Sequence, residues 1–202
     1  MSKLILGIDA SAQAASCAVC SKEKVIASAF INVKLTHSQT IMPMVRDMLA
    51  CAKLNLEEID AFAVSRGPGS FTGIRIGVSA IKGMAYALGK PCIGVSTLES
   101  LAYNLQGGNG IACAVMDARR SQVYTALFSL QGEKITRVCE DKAISISQLA
   151  QEIKDYKDEK ITLVGEAAML VLESQEFETL CKQGYNIAPA PAHLQHQLGT
   201  SV

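Results

Sequence analysis

Ser65-Arg66-Gly67-Pro68-Gly69-Ser70-Phe71-Thr72-Gly73-Ile74-Arg75-Ile76-Gly77 is the stretch on which the fold turns. Ala61-Phe62-Ala63-Val64 leads into it as a short apolar strand, Gly67-Pro68-Gly69 breaks the chain, and Ser70 is a good N-cap for a helix running to Leu88. A glycine turn between a buried strand and a helix can hold a phosphate on its free N–H groups. It can equally serve only a tight turn and close packing. No lysine follows in the Gly-Lys-Ser/Thr order, so the turn is not a P-loop.

Working outward, Lys3 to Asp9, Ala15 to Cys20 and Val25 to Val33 read as a three-stranded meander, with Ser21 to Lys24 as a polar turn. A helix is predicted from His37 to Leu54. Beyond the glycine turn and its helix come a short strand, Pro91 to Val95, and a helix capped by Ser96 or Thr97 and ending near Leu105. Gln106-Gly107-Gly108-Asn109-Gly110 is the clearest breaker. Past it the opening pattern recurs. Ile111 to Met116 is an apolar strand that Asp117 ends as Asp9 ends the first, and Gln122 to Leu130 follows. Lys134 to Ala143 is predicted as a third strand, Ser147 to Lys154 as a helix, Ile161 to Val164 as a strand, and a helical stretch reaches Leu172.

Two copies of a strand-meander-plus-helix unit imply an α/β protein of two ribonuclease H-like half-domains, residues 1–107 and 108–202. Two such halves form the actin-like and sugar-kinase-like ATPases. The closing Pro189-Ala190-Pro191-Ala192-His193 to Val202, rich in Ala, Pro and Gln, predicts partial order at most.

Bulk properties narrow the function. The 202 residues carry 19 Lys plus Arg against 19 Asp plus Glu, a formal net charge of zero. Tight autonomous nucleic-acid binding, which draws its affinity from phosphate neutralisation, is disfavoured, so contact with a nucleic acid is expected only through a partner. Seven cysteines scattered through apolar segments suit reduced thiols in the cytoplasm. Cys17 and Cys20 fall on opposite faces of a strand, against a redox or zinc pair. The opening apolar run is too short for a signal peptide and nothing approaches a membrane span.

In an actin-like ATPase a carboxylate at the end of the first strand meets the nucleotide's magnesium, and Asp9 stands in that position. The following Ala10-Ser11-Ala12-Gln13-Ala14-Ala15 has neither a glycine to admit a phosphate nor a cation to offset it. Asp9, Ser11 and Asp117 therefore read as a vestigial nucleotide site, with a turn-capping carboxylate the equal alternative for Asp9. Asp117 has Arg119 and Arg120 beside it to pair with. Ser11, Ser70 and Ser96 are caps with no histidine patterned for a triad. His37 reads as a residue at a helix N-terminus, and His193 and His196 lie in the tail; no metal or cofactor is expected.

Arg66-Gly67-Pro68-Gly69-Ser70-Phe71-Thr72-Gly73, Gly94-Val95-Ser96-Thr97-Leu98-Glu99 and Asp117-Ala118-Arg119-Arg120 with Val123-Tyr124 together resemble the TsaB (YeaZ) family of bacterial tRNA-modification proteins. Gly7-Ile8-Asp9-Ala10-Ser11 and His37-Ser38 match as well, so the likeness runs in order to about Gly165. The family continues past the position of Val202, which would make this a short or truncated member. The resemblance implies a non-catalytic paralogue of TsaD, which it binds and activates for threonylcarbamoyl transfer to the adenosine beside the anticodon. Threonylcarbamoyl-adenylate would be the donor and the ATPase TsaE would complete a ternary complex; alone, the protein would self-associate as a dimer. TsaD holds its metal through two histidines four residues apart, and the matching positions here are Thr97 and Leu101, neither a substitute for imidazole. An actin-like ATPase or small-molecule kinase, and a glycopeptidase-like metallopeptidase, are the alternative readings.

The helix from His37 carries Ile41, Met42, Met44, Val45, Met48, Leu49, Ala52 and Leu54, more than one apolar stripe, and the helix from Ser70 has only Arg75 and Lys82 as charges. The expected partner-binding residues are Met44, Val45 and Met48 with Ile74, Val78 and Ile81. Ordinary core packing is the competing role.

Overall fold

Alternation of apolar with small or polar residues lays down three antiparallel strands: β1 (Ile5–Asp9), β2 (Ala15–Cys20) and β3 (Val25–Ile31). They open the first of two units in the computed structural model, which describes residues 2–202. The units are Met1–Ser100 together with Gln197–Val202, and Leu101–His196.

In the first unit α1 (His37–Ala52) leads to β4 (Ala61–Gly67), α2 (Phe71–Leu88), β5 (Cys92–Ser96) and the start of α3 (Thr97–Tyr103). The sheet order is β3-β2-β1-β4-β5, with β4 parallel to both β1 and β5. Leu6, Ile8, Cys17, Val19, Phe62 and Val64 share one core with Ile41, Met44, Val45, Met48, Ile81 and Met84. Each fully buried large apolar side chain contributes about 1.5–3 kcal/mol. Burial also pushes the Cys17 thiol up to about 11, so it stays protonated at neutral pH. Ser70 caps α2 as its sequence predicts, its Oγ accepting the Gly73 N–H at 3.2 Å. Gly89, at φ 62°, ends the helix, and the Lys90 N–H returns to the Ala85 carbonyl at 2.9 Å.

The second unit holds β6 (Asn109–Arg119), β7 (Gln122–Gln131), β8 (Lys134–Arg137), β9 (Lys142–Ser145), α4 (Ile146–Ile153), β10 (Lys160–Val164), α5 (Ala168–Leu172), α6 (Gln175–Lys182) and β11 (Asn186–Pro189). Its order, β8-β7-β6-β10-β11, repeats that of the first sheet strand for strand, with β9 added on β7. An antiparallel meander followed by two parallel strands, twice over, is the ribonuclease H-like half-domain in duplicate.

Three sequence readings are corrected here. The single strand read over Lys134 to Ala143 is two. The Arg137 guanidinium binds Asp141 at 2.6 Å across the segment between them, and the strand divides there: β8 pairs with Phe128–Gln131 and β9 with Gln122–Thr125. Helix α6 and strand β11 were not read at all. The tail expected to be partly ordered is folded, and its last residues count with the first unit rather than the second. Ser16 Oγ donates to the Gln197 carbonyl at 2.9 Å, and a Cβ on Gly199 would lie 2.7 Å from the Cys17 carbonyl carbon. Backbone-to-backbone seating of this kind leaves no hydrophobic period in the sequence.

Candidate functional site

The glycine turn after β4 closes on the chain itself. The Ser70 N–H, at the N-terminus of α2, donates to the Ser11 carbonyl at 2.6 Å, and His37 Nε2 at the start of α1 lies 2.7 Å from the Ala12 carbonyl. A Cβ on Gly69 would strike the Ser11 carbonyl oxygen, and one on Gly73 the Ala10 carbonyl oxygen. These glycines therefore permit the β1–β2 turn to be pressed against the helix end. Ala10, Ser11, Ala12 and Ala14 are buried, with Gln13 alone exposed. The Ser11 carbonyl oxygen thus takes up the Ser70 N–H at this helix end.

Asp9 and Ser11 meet in this turn. Asp9 Oδ1 accepts the Ser11 N–H at 2.8 Å and the Ser11 hydroxyl at 2.6 Å, and Oδ2 accepts the Ser65 hydroxyl of β4. The carboxyl is fully buried, and that burial raises its pKa despite the hydrogen bonds from Ser11 and Ser65 and the charge of His37, all of which lower it. A folded-state pKa above the unfolded one means that the native state holds its proton more tightly. The stability contributed is complete below the unfolded value and is lost as pH rises through the folded value. The difference in unfolding free energy between the parent and Asp9→Asn is therefore expected to turn against the parent as pH rises from 4 to 8. Urea titrations across that range check it; a pH-independent difference contradicts the buried-acid assignment.

Asp117 belongs to the second unit, where it ends the straight part of β6. Its Oδ1 accepts the Arg119 N–H at 2.7 Å, and its Oδ2 lies 3.5 Å from the same residue's Nη1. Thr97 and Leu101 are fully buried on one face of α3. Among the described residues no three His, Cys, Asp or Glu side chains gather in a metal-binding group.

The six residues expected to form a partner surface are placed differently. Met44, Val45, Met48 and Ile81 are core residues, between 0 and 6% exposed. Val78 is partly buried against the same core, and Ile74 is half-buried beside Gly67. The reason lies in the helical phase. The buried residues of α1 are Thr40, Ile41, Met44, Val45, Met48 and Leu49, and those of α2 are Gly73, Gly77, Ile81, Met84 and Ala85, one stripe each. What faces out is a smaller set: Phe71 at 71% exposure, Met42 at 47% and Tyr86 at 92%. Met42, Phe71, Arg75, Ile76 and Ser79 line a shallow groove of about 570 Å3 on this side, and the Arg75 guanidinium lies 4.1 Å from the Phe71 ring centroid. The signal was present in the sequence, since 71, 75, 79, 82 and 86 are out of phase with 73, 77, 81 and 84, but it needs the buried side of the helix to be known first.

Comparison with known proteins finds relatives over most of the chain. The family model described as TsaD, tRNA N6-adenosine threonylcarbamoyltransferase, matches residues 25–190. A Bacillus subtilis protein, tRNA threonylcarbamoyladenosine biosynthesis protein TsaB, is 34% identical over 161 residues, covering 80% of this chain and 70% of its own length. The Escherichia coli protein of the same name is 37% identical, over 73% of this chain and 64% of its own length. Among solved structures, YeaZ from Pseudomonas aeruginosa superimposes with a TM-score of 0.80 at 27% identity, covering 96% of this chain and 87% of that one. A ROK hexokinase from Thermus thermophilus superimposes with a TM-score of 0.52 at 10% identity, a likeness of fold alone.

Proposed function

The chain belongs to the TsaB family, and from that premise we propose that it serves tRNA threonylcarbamoyladenosine biosynthesis as the non-catalytic partner that binds and activates TsaD. The observation that carries the non-catalytic part is the filled helix end. At the start of α2 the Ser70 N–H is spent on the Ser11 carbonyl, and the buried Asp9 carboxyl at the end of β1 is spent on Ser11 and Ser65. Thr97 and Leu101, buried at the positions matched to TsaD's two histidines, offer no imidazole.

The docking surface of this reading is the outer side of α1 and α2, with Phe71, Met42 and Tyr86 as its large apolar side chains. Gly83 supports it. A glycine inside a helix costs roughly 1 kcal/mol relative to alanine, and within this chain nothing lies within 4 Å of where its Cβ would be. A partner helix in close approach gives that glycine a use. TsaE is the further subunit of the same assembly.

The test is reconstitution of tRNA threonylcarbamoylation from TsaD, TsaE, threonylcarbamoyl-adenylate, ATP and tRNA, with and without this protein. Modified adenosine is expected to accumulate only when the protein is present. Equal modification in its absence overturns the activator role, and modification by this chain without TsaD overturns the non-catalytic one.

A further inference from the structure

The antiparallel ladder of β6 and β7 ends in a tip that carries two arginines on a left-handed backbone. Asp117 pairs with Val123 and Arg119 with Gln122, the register shifting between them, so Arg120 and Ser121 turn the corner. Arg119, Arg120 and Ser121 have φ of 68°, 52° and 59°. A two-residue hairpin turn with positive φ at both central residues favours Asn-Gly, because other side chains crowd the following carbonyl there. None of these three residues is glycine or asparagine. The tip thus gives up stability to carry these particular side chains, and strain held in this way collects where a side chain is needed for binding.

Asp117 secures the shifted register through the Arg119 N–H and touches that guanidinium only through Nη1, leaving the Arg119 side chain 86% exposed. Arg120 is exposed, and among the described residues no carboxylate stands within ion-pair distance of it. Two guanidinium forks therefore face solvent against one carboxylate, on a protein of zero formal net charge. The planar, permanently charged arginine fork matches paired phosphate oxygens.

We propose that the Arg119–Arg120 tip grips the phosphate backbone of the tRNA substrate in the assembled complex, a role that rests on the reading of this chain as TsaD's partner. With no net positive charge to draw RNA in, two such contacts set the register of the tRNA more than they supply its affinity. Each phosphate contact adds about one unit to the slope of log affinity against log salt.

Two variants test it. Arg119→Gln with Arg120→Gln removes both forks. Arg120→Asn with Ser121→Gly removes one and gives the turn the residues its geometry favours. Each is mixed with TsaD, the heterodimer is weighed by light scattering, and tRNA binding of the same samples is followed by fluorescence anisotropy from about 50 to 200 mM salt. Both variants are expected to pair with TsaD as the parent does, the second to melt above it, and the salt slopes to fall by about two and about one unit respectively. Unchanged tRNA affinity and slope in paired complexes overturn the role of the tip alone. Weakened pairing with tRNA binding intact places the tip against an acidic protein surface and overturns it too. A parent protein that fails to pair with TsaD overturns the partner reading. In that case the tip, which acts in the assembled complex, is overturned with it.

Discussion

Met48→Asp is expected to yield no folded first unit, while Phe71→Asp yields a protein as stable as the parent that no longer pairs with TsaD. Met48 is 6% exposed, with its Sδ 3.7 Å from the Cys17 Sγ inside the core of α1 and the sheet. Removing its packing costs about 2–5 kcal/mol, and an unpaired carboxylate in its place adds several more. The sum is comparable with the roughly 5–15 kcal/mol that holds a whole domain together. Phe71 is the first residue of α2 and mostly exposed. Its loss forfeits the Arg75 contact, worth about 0.5–1 kcal/mol, and a carboxylate in the first turn of a helix returns about 0.3–1 kcal/mol. A central aromatic anchor typically contributes 2 kcal/mol or more to an interface, about thirtyfold in affinity. Urea titration and light scattering with TsaD separate the two outcomes. A folded Met48→Asp protein contradicts the core assignment, and a paired Phe71→Asp protein contradicts the docking surface.

The contrast between these two residues marks what the sequence could reveal. The strand-glycine-helix run from Ala61 to Leu88 was legible because each signal in it is local: an apolar strand, a breaker, a serine cap, a helix ended by Gly89. The repeated strand-Asp-turn-strand pattern exposed the duplicated fold, and the sheets follow it in the same order. Which side of α1 and α2 faces inward was not legible. Both helices are apolar over much of their circumference, so the phase is decided by contact with β1, β2 and β4, partners distant in sequence. The methionine run illustrates this, since Met44 and Met48 turn in and Met42 turns out. The break between β8 and β9 and the seating of Gly199 on β2 likewise depend on contacts that leave no period behind.

The same reasoning sets two glycines of α2 apart, with opposite expected effects. Gly73→Ala is expected to destabilise the protein by about 3 kcal/mol and Gly83→Ala to stabilise it by up to about 1 kcal/mol. At Gly73 an added Cβ meets the Ala10 carbonyl oxygen and lies 2.9 Å from the His37 ring. The carbonyl cannot yield without moving the turn that gives Asp9 its hydrogen bonds from Ser11, so overpacking of about 1–3 kcal/mol is joined by loss of satisfaction at a buried carboxyl, about 1–3 kcal/mol more. The gain in helix propensity, roughly 1 kcal/mol, offsets only part of this. In a chain of this size 3 kcal/mol corresponds to a fall in melting temperature of about 6–12 °C. At Gly83 the space is open and only the propensity gain remains. If the glycine turn were an open cradle for a ligand, Gly73→Ala would leave stability near the parent's and alter only binding. Calorimetry of the two variants distinguishes a helix end closed by its own chain from one held ready for a phosphate. Gly83→Ala adds a second reading in the same preparation, because a methyl group raised on the docking face should weaken the complex with TsaD while the isolated protein melts higher.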